Sequence, residues 1–199
     1  MPNFTDLTGL AGVAVVAAAA VSLLPGTAKL ARSRLAVLQA AVFVLMVVPF
    51  GGMPAAAYLR GMTGDLSITT LVLLSCAMLS PRKGCAADRQ RQVLLSLVAP
   101  AALVFYPMAL GAEAYDPYRL GYGTVQFVAV LLLLALAAWL RGYAMIVLCI
   151  ALAALGWASG WYESGNLWDY LIDPFVAIYA LAAIMNTFIR TLLKAGRGG

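Results

Sequence analysis

The chain has 199 residues, of which 64% are hydrophobic and 11% charged, with a formal net charge of +5. A soluble domain carries about 25% charged residues, so the charges here are too few to cover a water-exposed shell, and lipid must cover most of it. There is no histidine, which excludes His-ligated haem, argues against a zinc or di-iron centre and removes the usual base of Ser-His or Cys-His catalysis.

The tail from Met1 to Asp6 holds an acid and no Lys or Arg. A signal peptide would be basic there, so the first apolar run reads as a membrane helix. Asn3-Phe4-Thr5 fits the glycosylation pattern but carries little weight in a bacterial chain. Seven apolar stretches follow one another at 7–24, 35–58, 66–80, 93–111, 118–140, 143–160 and 174–193. Most approach the roughly 20 residues that cross a bilayer as helix. The second contains Pro49, Gly51, Gly52 and Pro54, which predict a kink or break near its end. The third is short and follows Gly61, Gly64 and Asp65, which suits a tilted or re-entrant segment. The fold class expected is all-α: a polytopic bundle of seven transmembrane helices forming a single domain over 1–199.

Orientation follows from the basic residues. Lys29, Arg32, Arg34, Arg82, Lys83, Arg89, Arg91, Arg141, Arg190, Lys194 and Arg197 fall on one side of seven spans, and only Arg60 and Arg119 on the other. The positive-inside rule makes the first side cytoplasmic, with the N-terminus outside and the C-terminus inside a bacterial inner membrane. The cations flank apolar runs, so they orient the chain and do not form a nucleic-acid patch. The loop Arg82–Gln92 reads the same way, as an anchor. The acids, which did not enter this vote, separate as well: all but Asp88 fall outside.

Four of the outer acids, Asp6, Asp65, Asp116 and Asp173, stand at expected helix starts. An N-cap carboxylate accepts bonds from free backbone N–H groups and meets the positive end of the helix dipole. Asp116-Pro117 and Asp173-Pro174 add a proline at the first helical position. Glu113, Glu163, Asp169, Arg60 and Arg119 remain on the outer face after capping. Aromatic residues crowd there, from Tyr58, Tyr106, Tyr118 and Tyr122 to the run Trp157–Asp173, whereas the inner side has mainly Trp139 and Tyr143. An interfacial belt would occupy both faces. The candidate binding surface is therefore Arg60, Glu113, Arg119, Trp161, Tyr162, Glu163, Trp168 and Asp169. Flat rings stack on sugars or cations while carboxylates and Arg fix orientation. A helical Trp168–Asp173 would place Asp169 and Asp173 on one face. Gly156 and Gly160 have the spacing of close helix contacts.

Within the spans Gln39, Gln126 and Asn186 stand out, and none is ionised, which counts against an ion-coupled carrier. No lysine lies inside the last helix to hold retinal. Cys76, Cys85 and Cys149 form no CxxC pair, and no P-loop, GxGxxG, HExxH or GxSxG occurs. No cofactor or metal is expected. Three functions fit this pattern. One is a non-catalytic subunit of an envelope complex, with an acidic, aromatic outer face for a membrane-protein partner or polar ligand. The second is a transporter or flippase with Pro49, Pro54, Pro100 and Pro107 around a path. The third is an enzyme on a lipid-linked or glycan substrate using outer carboxylates. Membrane lipids are partners in all three, and nucleic acid in none.

Overall fold

The computed structural model describes residues 4–24, 26–79, 85–111 and 116–195. It is helical almost throughout: α1 Phe4–Ala20, α2 Arg32–Val47, α3 Ala55–Thr63, α4 Ile68–Leu79, α5 Cys85–Ala109, α6 Val125–Leu140, α7 Ala144–Ala158, α8 Leu167–Leu171 and α9 Pro174–Ala195. Short 3-10 turns at Val21–Leu23, Thr27–Lys29 and Pro117–Gly121 join some of them. The break expected in the second apolar run is a miniature hairpin. Strands β1 Pro49–Phe50 and β2 Met53–Pro54 pair antiparallel around Gly51 and Gly52, whose φ angles of 67° and 114° only glycine adopts freely. Pro100 and Pro107, by contrast, lie inside α5 without ending it.

α1 packs mainly on α2, α5 on α9 and α6 on α7. The main core joins Leu94, Leu95 and Val98 of α5 to Ile146, Cys149 and Ala153 of α7 and to Val176 and Ala180 of α9. A smaller core of Val13, Ala56 and Leu66 ties α1 and α3 to the residues just before α4. The outward surface is apolar. No residue of α2 is buried, α6 buries only Phe127 and Ala138, and α9 exposes Ile178, Met185, Phe188 and Leu192. Two helices, Ala87–Ala109 and Pro174–Leu193, are long and apolar enough to cross a membrane. Asp6–Ala20, Ile68–Met78, Val125–Leu140 and Ala144–Ala158 are apolar but shorter.

Helix termini show what the aspartates do. Asp173 is 4% exposed. Its Oδ1 accepts from Val176 N at 2.8 Å, capping α9, and its Oδ2 accepts from Ser67 N at 2.7 Å. One buried carboxylate therefore meets the positive ends of two helices, α9 and α4. Asp116 caps the Pro117–Gly121 turn through Tyr118 N at 2.9 Å, with α6 starting only at Val125. Asp6 and Asp65 do not cap as expected. Ser67 caps α4, its Oγ accepting from Thr70 N at 3.2 Å, and Asp6 lies inside the first turn of α1. Both acids instead bind Arg60, whose charged fork makes stronger bonds than a neutral amide. Gly156 and Gly160 also part company. Gly160, with φ 63°, closes the end of α7: its own N–H donates to Trp157 O at 3.1 Å and that of Trp161 to Gly156 O at 2.9 Å. Only Gly156 makes a close approach, to the ring of Tyr170, 3.3 Å from where a Cβ would sit.

Replacing Asp173 by Ala leaves two buried amides without an acceptor. We expect it to cost about 2–6 kcal/mol, at roughly 1–3 kcal/mol per orphaned donor, while Asp173→Asn, which keeps one oxygen, costs less. Thermal unfolding of both variants in detergent checks this; equal losses would show that the carboxylate does not bridge the two helices.

Candidate binding cleft

Hydrogen bonds gather the starts of α1, α4 and α9 and the end of α7 at one end of the bundle, and ring contacts of Phe105 bring in the end of α5. Arg60 of α3 is its electrostatic centre. Its guanidinium forks onto Asp65, Nε to Oδ1 at 2.6 Å and Nη2 to Oδ2 at 3.0 Å. Nη1 reaches Asp6 of α1 at 3.2 Å, and Nη2 lies 3.7 Å from Glu163. The Arg60 side chain is only 16% exposed, so this charge is held in place rather than waving in solvent. The bond to Asp65 holds its proton more firmly than an ordinary guanidinium's. A Cβ on Gly9 would fall 2.4 Å from Arg60 Nε; glycine there lets α1 lie against the pair.

The segment 159–173 folds over the same end. Asn166, fully buried, caps α8 by accepting from Trp168 N at 3.0 Å and donates to Tyr118 O at 2.8 Å. The Trp168 ring sits between Phe105 and Phe127, with centroids 4.5 Å from each, and its Nε1 donates to Pro117 O at 3.0 Å. Tyr170, also fully buried, stacks on Tyr162 at 4.9 Å and accepts from Tyr162 N at 2.9 Å. Tyr162 in turn donates to Leu66 O at 2.8 Å. Burial raises the phenol pKa of Tyr162 and Tyr170 above the ordinary value. Tyr118 is raised too, by burial and by its bond to Asp169, so all three phenols stay protonated, as donors must.

Between α5, the Pro117–Gly121 turn and this segment lies a cleft of about 480 Å³. Asp65, Asp169 and Asp173 line it together with Tyr106, Tyr118 and Tyr162. Asp169 Oδ2 accepts from Tyr118 Oη at 2.8 Å and from Ser164 Oγ. Asp169 and Asp173 meet here, but not along one helix face, because α8 ends at Leu171 and Ile172 is extended.

The sequence candidates thus divide. Asp169 and Tyr162 line the cleft, and Trp168 buttresses it through Phe105. Arg60 holds the wall residue Asp65 and, with Glu163, lines a second cleft of about 530 Å³ beside α3. Trp161 is 43% exposed and its carbonyl accepts from Thr8 Oγ1. Arg119 is exposed and lines neither cleft. Glu113 lies outside the described residues. Tyr106 and Tyr118 were visible only as members of an aromatic crowd. Phe105, Tyr106 and Ala109, at helical spacing, share the face of α5 that lines the cleft. Among the described residues no group of three or more His, Cys, Asp or Glu is placed to hold a metal ion. Compared with protein-family models, curated proteins and solved structures, the chain matches none.

A pair of glycines tests this packing with opposite signs. A Cβ on Gly121 would lie 1.8 Å from Asn166 Oδ1 and 2.7 Å from Trp168 Cδ1. Gly121→Ala should push Asn166 off both its bonds and cost about 1–3 kcal/mol. A Cβ on Gly12 meets only ordinary contacts, the nearest at 3.7 Å, so Gly12→Ala inside α1 should stabilise by up to about 1 kcal/mol. Unfolding midpoints of the two variants check the signs.

Proposed function

We propose that the chain is a seven-span protein of a bacterial inner membrane, with its N-terminus outside. In this reading it is a non-catalytic subunit of an envelope complex whose acidic, aromatic outer end receives a partner or polar ligand. The spans are α1, α2, α4, α5, α6, α7 and α9, and the exposed apolar faces of α2, α6 and α9 meet lipid, since such surface far exceeds what a soluble monomer shows. The end holding Asp6, Asp65, Glu163, Asp169 and Asp173 faces outward, and Arg89, Arg91, Arg141 and Arg190 face the cytoplasm. α4, with 12 residues, rises only about 18 Å, less than the roughly 30 Å core. α3 and the 159–173 segment roof its start and make up the difference.

The observation that carries the reading is how the outer carboxylates are used. Asp173 bridges two helix starts, Asp65 is forked by Arg60, Asp169 is held by Tyr118 and Ser164, and Glu163 lies beside Arg60. They form a shaped surface in which the described carboxylates hold protein donors of the scaffold itself, as a receiving surface does. The carrier reading gains nothing from Gln126 and Asn186, which are exposed on the outside of the bundle, while Leu94, Leu95, Ile146 and Ala153 fill its centre.

Purification of the chain from its native membrane in mild detergent tests the proposal. We expect a membrane protein to co-purify in fixed ratio. Trp161→Ala with Glu163→Gln should reduce its capture several-fold at unchanged expression and stability, and Arg89→Gln with Arg91→Gln should leave it nearly unchanged. A stable chain that purifies alone, or one whose partner is lost only from the basic-end variant, would contradict it.

A further inference from the structure

We infer that the cleft between α5, the Pro117–Gly121 turn and the 159–173 segment binds a primary ammonium group, held by Asp169 and Tyr106. The inference rests on the reading of the acidic end as a receiving surface and adds the chemistry of what is received.

Three carboxylates line the cleft, but two are already compensated. Asp65 shares both oxygens with the Arg60 fork. Asp173 gives one oxygen to each of two helix-start amides. Asp169 differs from both. Its Oδ2 accepts from two neutral hydroxyls, Tyr118 and Ser164, and among the described residues no donor bonds its Oδ1. No Lys or Arg of the described residues stands within ion-pair distance of it. The Tyr106 hydroxyl, in the same wall, likewise has no hydrogen-bond partner among the described residues. A full negative charge, a bare carboxylate oxygen and a bare phenol oxygen therefore face one cleft walled by the rings of Phe105, Tyr106, Tyr118 and Tyr162.

Ligand chemistry follows by elimination. The uncompensated carboxylate of Asp169 repels an anion. A neutral polyol would satisfy the hydrogen bonds and leave the charge of Asp169 uncompensated. A cation with N–H donors answers both needs and is attracted to the ring faces as well. Guanidinium matches a carboxylate best through both oxygens, and Oδ2 is already taken by two donors. A compact ammonium needs one N–H for Asp169 Oδ1 and one for Tyr106 Oη. Its source is a free amine or the headgroup of an aminophospholipid. The apolar lining residues Ala109, Leu110, Ile172 and Pro174 lie at or next to the ends of the two membrane-length helices, where a headgroup with acyl chains can approach.

The test uses the full chain. In detergent at neutral pH, calorimetry and tryptophan fluorescence would follow titration with ethanolamine and with ethylene glycol, its neutral isostere. In parallel, nanodiscs of phosphatidylethanolamine or phosphatidylglycerol would be stripped and the retained lipid counted by mass spectrometry. Ethanolamine should bind about tenfold or more tighter than neutral ethylene glycol, or phosphatidylethanolamine than the amine-free, anionic phosphatidylglycerol. Binding in the ethanolamine arm alone marks a free amine, and in the lipid arm alone a headgroup. Asp169→Asn keeps an oxygen for Tyr118 and Ser164, so it should unfold near the wild-type midpoint yet lose about tenfold or more in binding. Should it unfold early, Tyr106→Phe decides, because that hydroxyl supports nothing in the protein and its loss should still weaken binding several-fold. The inference is overturned if neither ammonium compound binds, if the amine-free counterparts bind equally, or if the deciding variant binds like wild type. An intact complex without ammonium binding removes this inference alone. Ammonium binding by a chain that purifies alone removes the subunit reading alone.

Discussion

Four residues of non-helical backbone, Gly64 to Ser67, carry the polar interactions on which this end of the molecule depends. Backbone that leaves a helix in a water-poor interior must find other partners for its N–H and C=O groups. Here Asp65 through its side chain, and Leu66 and Ser67 through their backbone, are each tied to a different element. Asp65 is gripped by Arg60 of α3, Leu66 O accepts from Tyr162, and Ser67 N donates to Asp173 at the start of α9. Because Arg60 also holds Asp6 of α1, one short link fixes α1, α3, α4, the segment after α7 and α9 relative to one another. Gly64, with φ 72°, is the turn that lets the chain leave α3 and enter the link.

The cleft is a consequence of that link. Tyr162 can reach Leu66 only because Tyr170 holds its backbone N–H and stacks on its ring, and Tyr170 fits because Gly156 has no side chain. Asn166 and Trp168 then tie the same segment to the Pro117–Gly121 turn. The walls are thus fixed by the protein's own bonds, and side chains already ordered cost a ligand less entropy on binding. Most of the acidic residues serve this scaffold. Asp169 Oδ1 and the 66%-exposed Glu163 are left to face outward, and they give the surface its negative character.

Much of this was legible in the sequence, and the parts that were not share a cause. The apolar runs marked the helices because a nonpolar stretch has few ways to satisfy its backbone except within itself. Pro49 and Pro54 with the glycines between them marked a break, because proline withholds a donor and glycine permits a turn, but not the strand pairing of Pro49–Phe50 with Met53–Pro54. Asp173 was readable as a cap from the proline that follows it, but its second bond, to Ser67, joins residues 106 positions apart and has no local signature. Asp65 was misassigned although its partner Arg60 is only five residues back: the turn at Gly64 brings the guanidinium onto it, and Ser67 takes the cap of α4. Asp169 and Asp173 share the cleft through an extended Ile172, a turn that helical spacing does not foresee. Tyr106 entered the site only when α5 packed against α9.

Hydrogen exchange at the Ser67 amide tests the central claim most directly, because that group lies in the middle of the link and has Asp173 as its acceptor. Tyr162→Phe removes only the hydroxyl that bonds Leu66 O, one residue away, and leaves Asp173 in place. If the link is held as a unit, exchange at Ser67 should accelerate several-fold or more in this variant, along with Val176, which shares the Asp173 carboxylate. Unchanged protection at Ser67 would contradict the account, showing that each bond holds its own element and that no common clasp exists.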